Sequence, residues 1–331
     1  MKTIRLHGHH DVRLHDEPVP TPAHDEVLLK VTLVGICGSD LHWFTEGGIG
    51  DAQLEHPLVL GHEFAGIAEN GRRVAVDPAI SCGACEFCKH GHPNLCPDVH
   101  FAGHGGIDGA LREYMAWDDR YLFPIPDSLT FADGAMLEPL GVAIHAVDLA
   151  HLKAGMMVGV FGCGPIGLLI IQLAKLSGAV NIVATDKLAH RVEAAKVYGA
   201  SHAFLAGDSL ELEEIRAATG GRGVDVAFEV AGVQDAVDTS IAAAIPGGKV
   251  ILAGIPGDDK TSFSASTARR KGLTIKLVRR MKHTYPRALE LVSQGVVDVH
   301  SLVTHRFPLT QASEAFRMAE RREGLKIMSE V

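Results

Sequence analysis

Apolar and polar residues are arranged in two regimes along the 331-residue chain. In the first third, short β-rich runs are cut apart by Gly and Pro. Val27-Leu28-Leu29-Lys30-Val31 predicts a strand, and Arg73-Val74-Ala75-Val76 predicts another, stopped by Pro78. The apolar run from Pro57 ends at the polar pair His62-Glu63. Pro18-Val19-Pro20-Thr21-Pro22 is an extended connector that no helix can contain. This spacing predicts a small, barrel-like β domain.

From Met157 the period changes. Met157–Phe161 is a nearly all-apolar strand, as in a buried parallel sheet. A helix from about Pro165 to Ser177 and a strand over Asn181–Thr185 follow. Helices over His190–Tyr198 and Glu211–Thr219, strand Val224–Val230 and a helix over about Gln234–Ala244 continue the alternation. Gly247-Gly248 turns into strand Lys249–Ala253, and Lys271–Val278 is the last strand of the series. Such alternation predicts βαβ units on a parallel sheet. Between the two regimes, Gly103–Gly109 reads as a flexible glycine-rich loop. Thr130, with Asp133 three residues on, caps a helix running through Ala135–Gly141 to His145, kinked at Pro139. After Arg279, helices over Thr284–Ser293 and Gln311–Arg321 and a terminal strand return the chain to the first domain.

Composition narrows the class. Hydrophobic residues make up 47% and charged residues 21%, enough for a sizeable core. The net charge of −9 argues against nucleic acid or an anionic membrane surface as a main partner. The segment Met1–Arg5 lacks the apolar core of a signal peptide, and no apolar run reaches membrane-spanning length. A soluble, cytoplasmic chain is expected, and its six cysteines point to metal or redox chemistry rather than disulfides.

Three patterns carry that chemistry. Cys37 and His62, each beside a glycine, supply two of the three protein ligands of a catalytic zinc site, whose fourth position is left for water or substrate. Cys82, Cys85, Cys88 and Cys96 follow the pattern C-x2-C-x2-C-x7-C and match a closed tetrahedral zinc site, with an iron–sulfur cluster the alternative. His90 and His92, inside that loop, read as solvated. The third pattern is Gly162-Cys163-Gly164-Pro165-Ile166-Gly167, a G-x-G-x-x-G between a strand and a helix. Its glycines let the backbone approach a pyrophosphate at the helix N-terminus. Asp186, at the end of the next strand, suits the ribose hydroxyls and favours NAD, while Arg191 is placed to hold a phosphate. Gly254-Ile255-Pro256 would close over the nicotinamide end. Glu138 is a lone carboxylate in an apolar stretch, either paired at the surface or aimed into a site.

With Cys37, His62-Glu63, the four-cysteine loop and the glycine motif in this order, the chain resembles the zinc-containing medium-chain alcohol dehydrogenases over essentially its whole length. It is most similar to their polyol (sorbitol/xylitol) branch, through Gly35–His42, Leu60–Glu63, Leu137–Leu140 and Val303–Pro308. That branch carries Glu where classical members place a Cys ligand, as Glu138 does here. The implied fold is α/β: a GroES-like β-rich catalytic domain over 1–142 and 281–331, plus a Rossmann doubly wound parallel-sheet NAD-binding domain over 143–280. The resemblance implies two zinc ions per chain, one catalytic and one structural, with NAD as hydride acceptor.

Cys37, His62 and Glu63 would bind the catalytic zinc. Glu138 would orient its water or exchange with it. Neighbours on a strand point to opposite faces, so His62 and Glu63 share one metal only if the chain bends between them; otherwise Glu138 is the third ligand. Ser39 would take the alcohol proton and pass it through the cofactor ribose to His42. Trp43 and Arg280 would contact substrate. The chain departs from the branch at Trp43 and Met281, both positions often Tyr there, and in a short Ala68–Arg72 turn. The expected substrate is a polyol or another secondary alcohol: threonine, butane-2,3-diol or a sugar acid such as idonate, for which Arg280 with Lys282 would suit the anion. A homotetramer or homodimer is expected. Zinc-free dinucleotide-binding relatives lack the Cys37/His62 pair, and a pure zinc-binding interaction module has no use for Asp186 and the glycine loop.

Overall fold

A computed structural model of the chain describes residues 1–207 and 210–331. The chain divides into two compact units, Met1–Gly141 with Lys282–Val331, and Val142–Met281. Among the described residues no helix is long and apolar enough to cross a membrane.

The first unit is built on a seven-stranded sheet. Its central strand, Glu26–Gly35, pairs antiparallel with Glu63–Ala68 and with the C-terminal strand Lys326–Glu330. Tyr114–Asp118 pairs with the outer half of the same strand. Lys326–Glu330 in turn carries Val303–Pro308 as a parallel neighbour. Strands Glu63–Ala68 and Arg73–Val76 are joined by the short turn expected at 68–72, where Ala68 N–H donates to Arg72 O and Gly71 has φ +83°. The unit's core gathers side chains that alternate inward from these strands, among them Val34, Phe64 and Val76. Phe44 and Phe316 join from two helices.

The second unit holds a six-stranded, all-parallel sheet. Counted along the chain, its strands are Met157–Phe161, Asn181–Asp186, His202–Leu205, Val224–Glu229, Ala244–Leu252 and Thr274–Leu277. They lie side by side in the order third, second, first, fourth, fifth, sixth. That is the doubly wound Rossmann order, in which the strand order reverses beside the first strand and leaves a crevice at the strands' C-terminal ends. Both faces are covered, so the inner strands carry unbroken apolar runs such as Val158–Phe161 and Ile182–Ala184.

Several local expectations change. The helix expected through Ala135 to His145 is two helices, Phe131–Ala135 and Leu137–Ala150, broken at Met136. Pro139 makes no kink, because it falls in the first turn of the second helix, where backbone N–H groups lack intrahelical partners anyway. Elements not read from the sequence include helix Gly38–Glu46, strands Tyr114–Asp118 and His202–Leu205, and helix Ala265–Lys271. The last is bounded by an N-cap at Ser264, which accepts from Thr267 N–H, and by Gly272 at φ +58°. The final strand therefore begins at Thr274, not Lys271. Strand Ala244–Leu252 starts ahead of Gly247-Gly248 rather than after it. The Gly103–Gly109 loop is pinned at both ends: Gly103 N–H donates to Ile107 O (2.9 Å) and Gly109 N–H to Val59 O (2.7 Å).

The Thr130 cap is a full capping box. Thr130 Oγ1 accepts from Asp133 N–H (3.2 Å), and Thr130 N–H donates to Asp133 Oδ2 (2.7 Å). Thr130→Ala removes the acceptor and should destabilise the first unit by about 1 kcal/mol, read as a lower urea midpoint with an unchanged slope.

Candidate active site and dinucleotide cradle

The strand Glu26–Gly35 delivers the chain to Cys37, the N-cap of helix Gly38–Glu46. Asp40 sits at the third helical position and accepts the Cys37 N–H (2.9 Å), so the acid locks the turn that presents the thiol. Its other oxygen accepts from Gly61 N–H at 3.3 Å and lies 3.4 Å from His62 Nδ1. One buried carboxylate thus spans both segments of the site.

The chain turns just ahead of the ligand pair. Gly61 has φ +95°, and a Cβ there would strike Val34 Cγ1 at 2.6 Å, so only glycine fits. The strand proper begins at Glu63. As a result, candidate ligand atoms of Cys37, His62 and Glu63 all lie within 4.8 Å of one another. Glu138 is not in that group. It lies buried in the first turn of helix Leu137–Ala150, close enough to feel the charges of His62 and Glu63.

The electrostatics are those of a site built around a cation. Burial drives the His62 imidazole toward neutrality, but Asp40 and Cys37 outweigh it and raise its pKa well above the usual value. Burial opposes the Asp40 charge, yet His62 and the Cys37 and Gly61 N–H groups hold its pKa below the usual range. Burial pushes the Glu138 carboxyl up to about 8; His62 opposes this and Glu63 adds to it. His62 Nδ1 and Glu63 Oε2 are buried without hydrogen-bond alignment to any partner. A cysteine sulfur, an imidazole and a carboxylate converge there, and this mixed donor set fits zinc with a position left open. Sequence reading missed two members. Asp40 is one, although its place three residues after Cys37 is a capping-box spacing. Lys326 is the other, a lone charge inside the terminal strand, ion-paired with Glu63.

Ser39 and His42 follow Cys37 on the same helix, three residues apart and so on one face. Ser39 Oγ lies 3.4 Å from His62 Nε2, and His42 Nδ1 is held by Glu46 at 3.0 Å. Trp43 is a correction. It is 2% exposed and packs into the core, edge-on to His104, because the helix turns it away from the open face.

Cys82, Cys85, Cys88 and Cys96 converge with all four sulfur atoms within 4.8 Å of one another, and none is in a disulfide. A tetrahedron of 2.3 Å Zn–S bonds needs sulfur atoms about 3.8 Å apart, so the cluster fits. Backbone N–H groups of Ala84 and Cys85 pull the Cys82 thiol down to about 7.

In the second unit the three motif glycines have separate jobs. Gly162, at φ +108°, makes the turn; Gly164 has only Arg191 near its Cβ position, at 3.7 Å; Gly167 packs directly on Gly162 O. Pro165 and Ile166 open the helix, with Gly164 as N-cap. Asp186 braces the turn from the next strand, accepting Cys163 N–H (2.7 Å) and Leu188 N–H (2.9 Å). A tight turn, an open approach and a close helix–strand contact are what a pyrophosphate-binding loop needs, so the loop fits a dinucleotide. Arg280 follows the last strand of this unit, half-buried, at φ +53°.

Comparison with known proteins agrees with this construction. Residues 23–127 match the alcohol dehydrogenase GroES-like domain, and residues 165–294 match the zinc-binding dehydrogenase family. The chain therefore belongs to the zinc-containing medium-chain alcohol dehydrogenases, enzymes that use zinc and a nicotinamide dinucleotide. Within that family it falls in the polyol dehydrogenase branch. It is 40% identical to a sorbitol dehydrogenase of Bacillus subtilis (strain 168), over 99% of this chain and 96% of that one. Among solved structures, L-idonate 5-dehydrogenase from Escherichia coli superposes with a TM-score of 0.91 at 27% identity, covering 100% of this chain and 98% of that one. The 2R,3R-butanediol dehydrogenase from Bacillus subtilis gives 0.87 at 32% identity, covering 100% and 99%.

The Asp40 brace has a measurable consequence. Asp40→Asn keeps the shape but weakens the hold on the His62 ring. The chain should retain its His62-site metal on the order of 10- to 100-fold less tightly, read as zinc remaining after dialysis against graded chelator.

Proposed function

We propose that this enzyme oxidises a secondary alcohol of a polyol, of the sorbitol or xylitol type, to the ketose, with NAD as acceptor. The observation that carries the reading is the buried Glu138 beside the convergent Cys37, His62 and Glu63. The similarity to sorbitol dehydrogenase supports it.

Cys37, His62 and Glu63 would hold the catalytic zinc, and Cys82, Cys85, Cys88 and Cys96 a second, structural one. When bound, the metal acidifies a hydroxyl and the dinucleotide accepts a hydride. Glu138, buried near His62, Glu63 and Lys326, orients the hydroxyl to be oxidised as its hydrogen-bond partner. Ser39 receives the proton, and its shared face with His42 supports a path outward, His42 being steadied by Glu46. Gly162, Gly164, Pro165, Ile166 and Gly167 cradle the pyrophosphate. Asp186 faces the adenosine ribose and disfavours a 2′-phosphate, while Arg191 lines the same turn. Arg280 is the proposed substrate contact from the second unit; its strained backbone supports a specialised role.

The boundaries 1–142 with 281–331 and 143–280 would separate the zinc domain from the NAD domain. The thiol-rich composition supports a reducing, cytoplasmic setting. The edge strand Thr274–Leu277, with Leu277 75% exposed, supports assembly into a homodimer or homotetramer.

Initial rates of NAD reduction across sorbitol, xylitol, ribitol, galactitol, butane-2,3-diol, threonine and idonate test the reading. Polyols should lead, and a zinc chelator should abolish the rate. A lead by idonate, a diol or threonine would reassign the substrate class. Glu138→Ala and Glu63→Ala should each lower turnover by about 100-fold or more, the scale of losing a group that positions the reacting atoms; full activity in both would remove the carboxylates from the reaction. Asp186→Ala should narrow the preference for NAD over its 2′-phosphorylated form, measured as a ratio of kcat/KM values.

A further inference from the structure

Lys326 is 3% exposed and lies at the start of the C-terminal strand, inside the sheet. A buried ammonium persists only when it is paired. Its Nζ donates to Ile36 O (2.9 Å), the carbonyl directly before Cys37, and it forms an ion pair with Glu63 Oε2, without hydrogen-bond alignment. Space for this pair exists because residue 35 is glycine: a Cβ there would collide with Glu63 Oε2 and meet Lys326 Cε at 2.9 Å. The ammonium faces Cys37, Glu63 and Glu138, all anionic or potentially so. One cation is therefore tethered to the backbone of one candidate zinc ligand and set against the carboxylate of another.

We infer that Lys326 is a positioning residue that occupies one oxygen of Glu63 and so keeps Glu63 a single-oxygen, releasable ligand of the metal. This rests on the assignment of Cys37, His62 and Glu63 as the zinc site. The carboxylate has two oxygens and two cations to serve. While Lys326 holds Oε2, only Oε1 is left for the metal. Without that competitor both oxygens are available, and the local negative charge rises by one.

Cobalt replaces zinc as the probe. The visible band of a four-coordinate cobalt ion loses intensity when a further ligand oxygen joins. The spectrum of a Cys37→Ala variant, subtracted, removes the contribution of the four-cysteine cluster. Lys326→Met, similar in length, should weaken the band and slow metal release to chelator by about tenfold, the scale of removing one nearby positive charge. Lys326→Arg should restore both. Combined with Glu63→Gln, Lys326→Met should change neither further, because the effect runs through that carboxylate. If Lys326→Met folds poorly, Gly35→Ala, which crowds the pair without altering charge, carries the same spectral test. An unchanged band and release rate in Lys326→Met, or equal effects with and without Glu63→Gln, overturn the inference alone. Absence of any Cys37-dependent cobalt band in the unaltered chain overturns the zinc-site assignment with it.

Discussion

The left-handed backbone at Gly61 is the constraint on which the site depends. A strand left to itself would send His62 and Glu63 to opposite faces, and no single ion could use both. The left-handed turn at Gly61 sets where the chain enters the strand, with His62 left just outside it, and candidate ligand atoms of His62 and Glu63 lie within 4.8 Å of each other. The turn is held from three directions. Asp40 accepts the Gly61 N–H, Ala110 N–H donates to Gly61 O, and Gly103 and Gly109 press on the Leu60–Gly61 backbone closely enough to exclude side chains. The loop is therefore a mould for the bend through Gly103 and Gly109, while Gly105 and Gly106, at positive φ with open space around them, shape its tip.

Asp40 extends the same logic to charge. It fixes the turn at Cys37, the amide of Gly61 and the ring of His62 with one carboxylate. Two segments more than twenty residues apart are registered by a single buried group, and its polar atoms are satisfied locally rather than by water. In the second unit Asp186 does an analogous job, accepting the Cys163 amide of the glycine turn with one oxygen and the Leu188 amide of its own segment with the other. In each unit the loop that meets a ligand is braced by an acid from a neighbouring segment.

Much of this was legible in the sequence because it is written in local patterns. The parallel sheet follows from apolar runs alternating with helices, and the motif at 162–167 carries its context within thirty residues. The Cys37, His62 and Glu63 convergence needed more: the strand begins at Glu63 and leaves His62 outside its alternation, a boundary that no local pattern announces. Trp43 is expected at the substrate through the resemblance, yet the helix Gly38–Glu46 packs it into the core. The helix at 265–271 was hidden because Arg269-Arg270-Lys271 looks like a solvated prelude to a strand. Its last lysine instead donates to the carbonyls of Ile241, Ala242 and Ala244, a tertiary role with no periodic signature.

The first unit is discontinuous in the chain, and its final strand lies between Glu26–Gly35 and Val303–Pro308 rather than at an edge. During synthesis, the N-terminal part of this sheet emerges with its central strand half unpaired and waits until the whole second unit, Val142–Met281, has been made. The nucleotide-binding unit is contiguous and free to fold first, while its host stays open. The metal site's cationic partner, Lys326, belongs to the later of the first unit's two segments. A chain without that segment would keep an intact dinucleotide cradle beside an unfinished metal pocket, so the completeness of one site says nothing of the other.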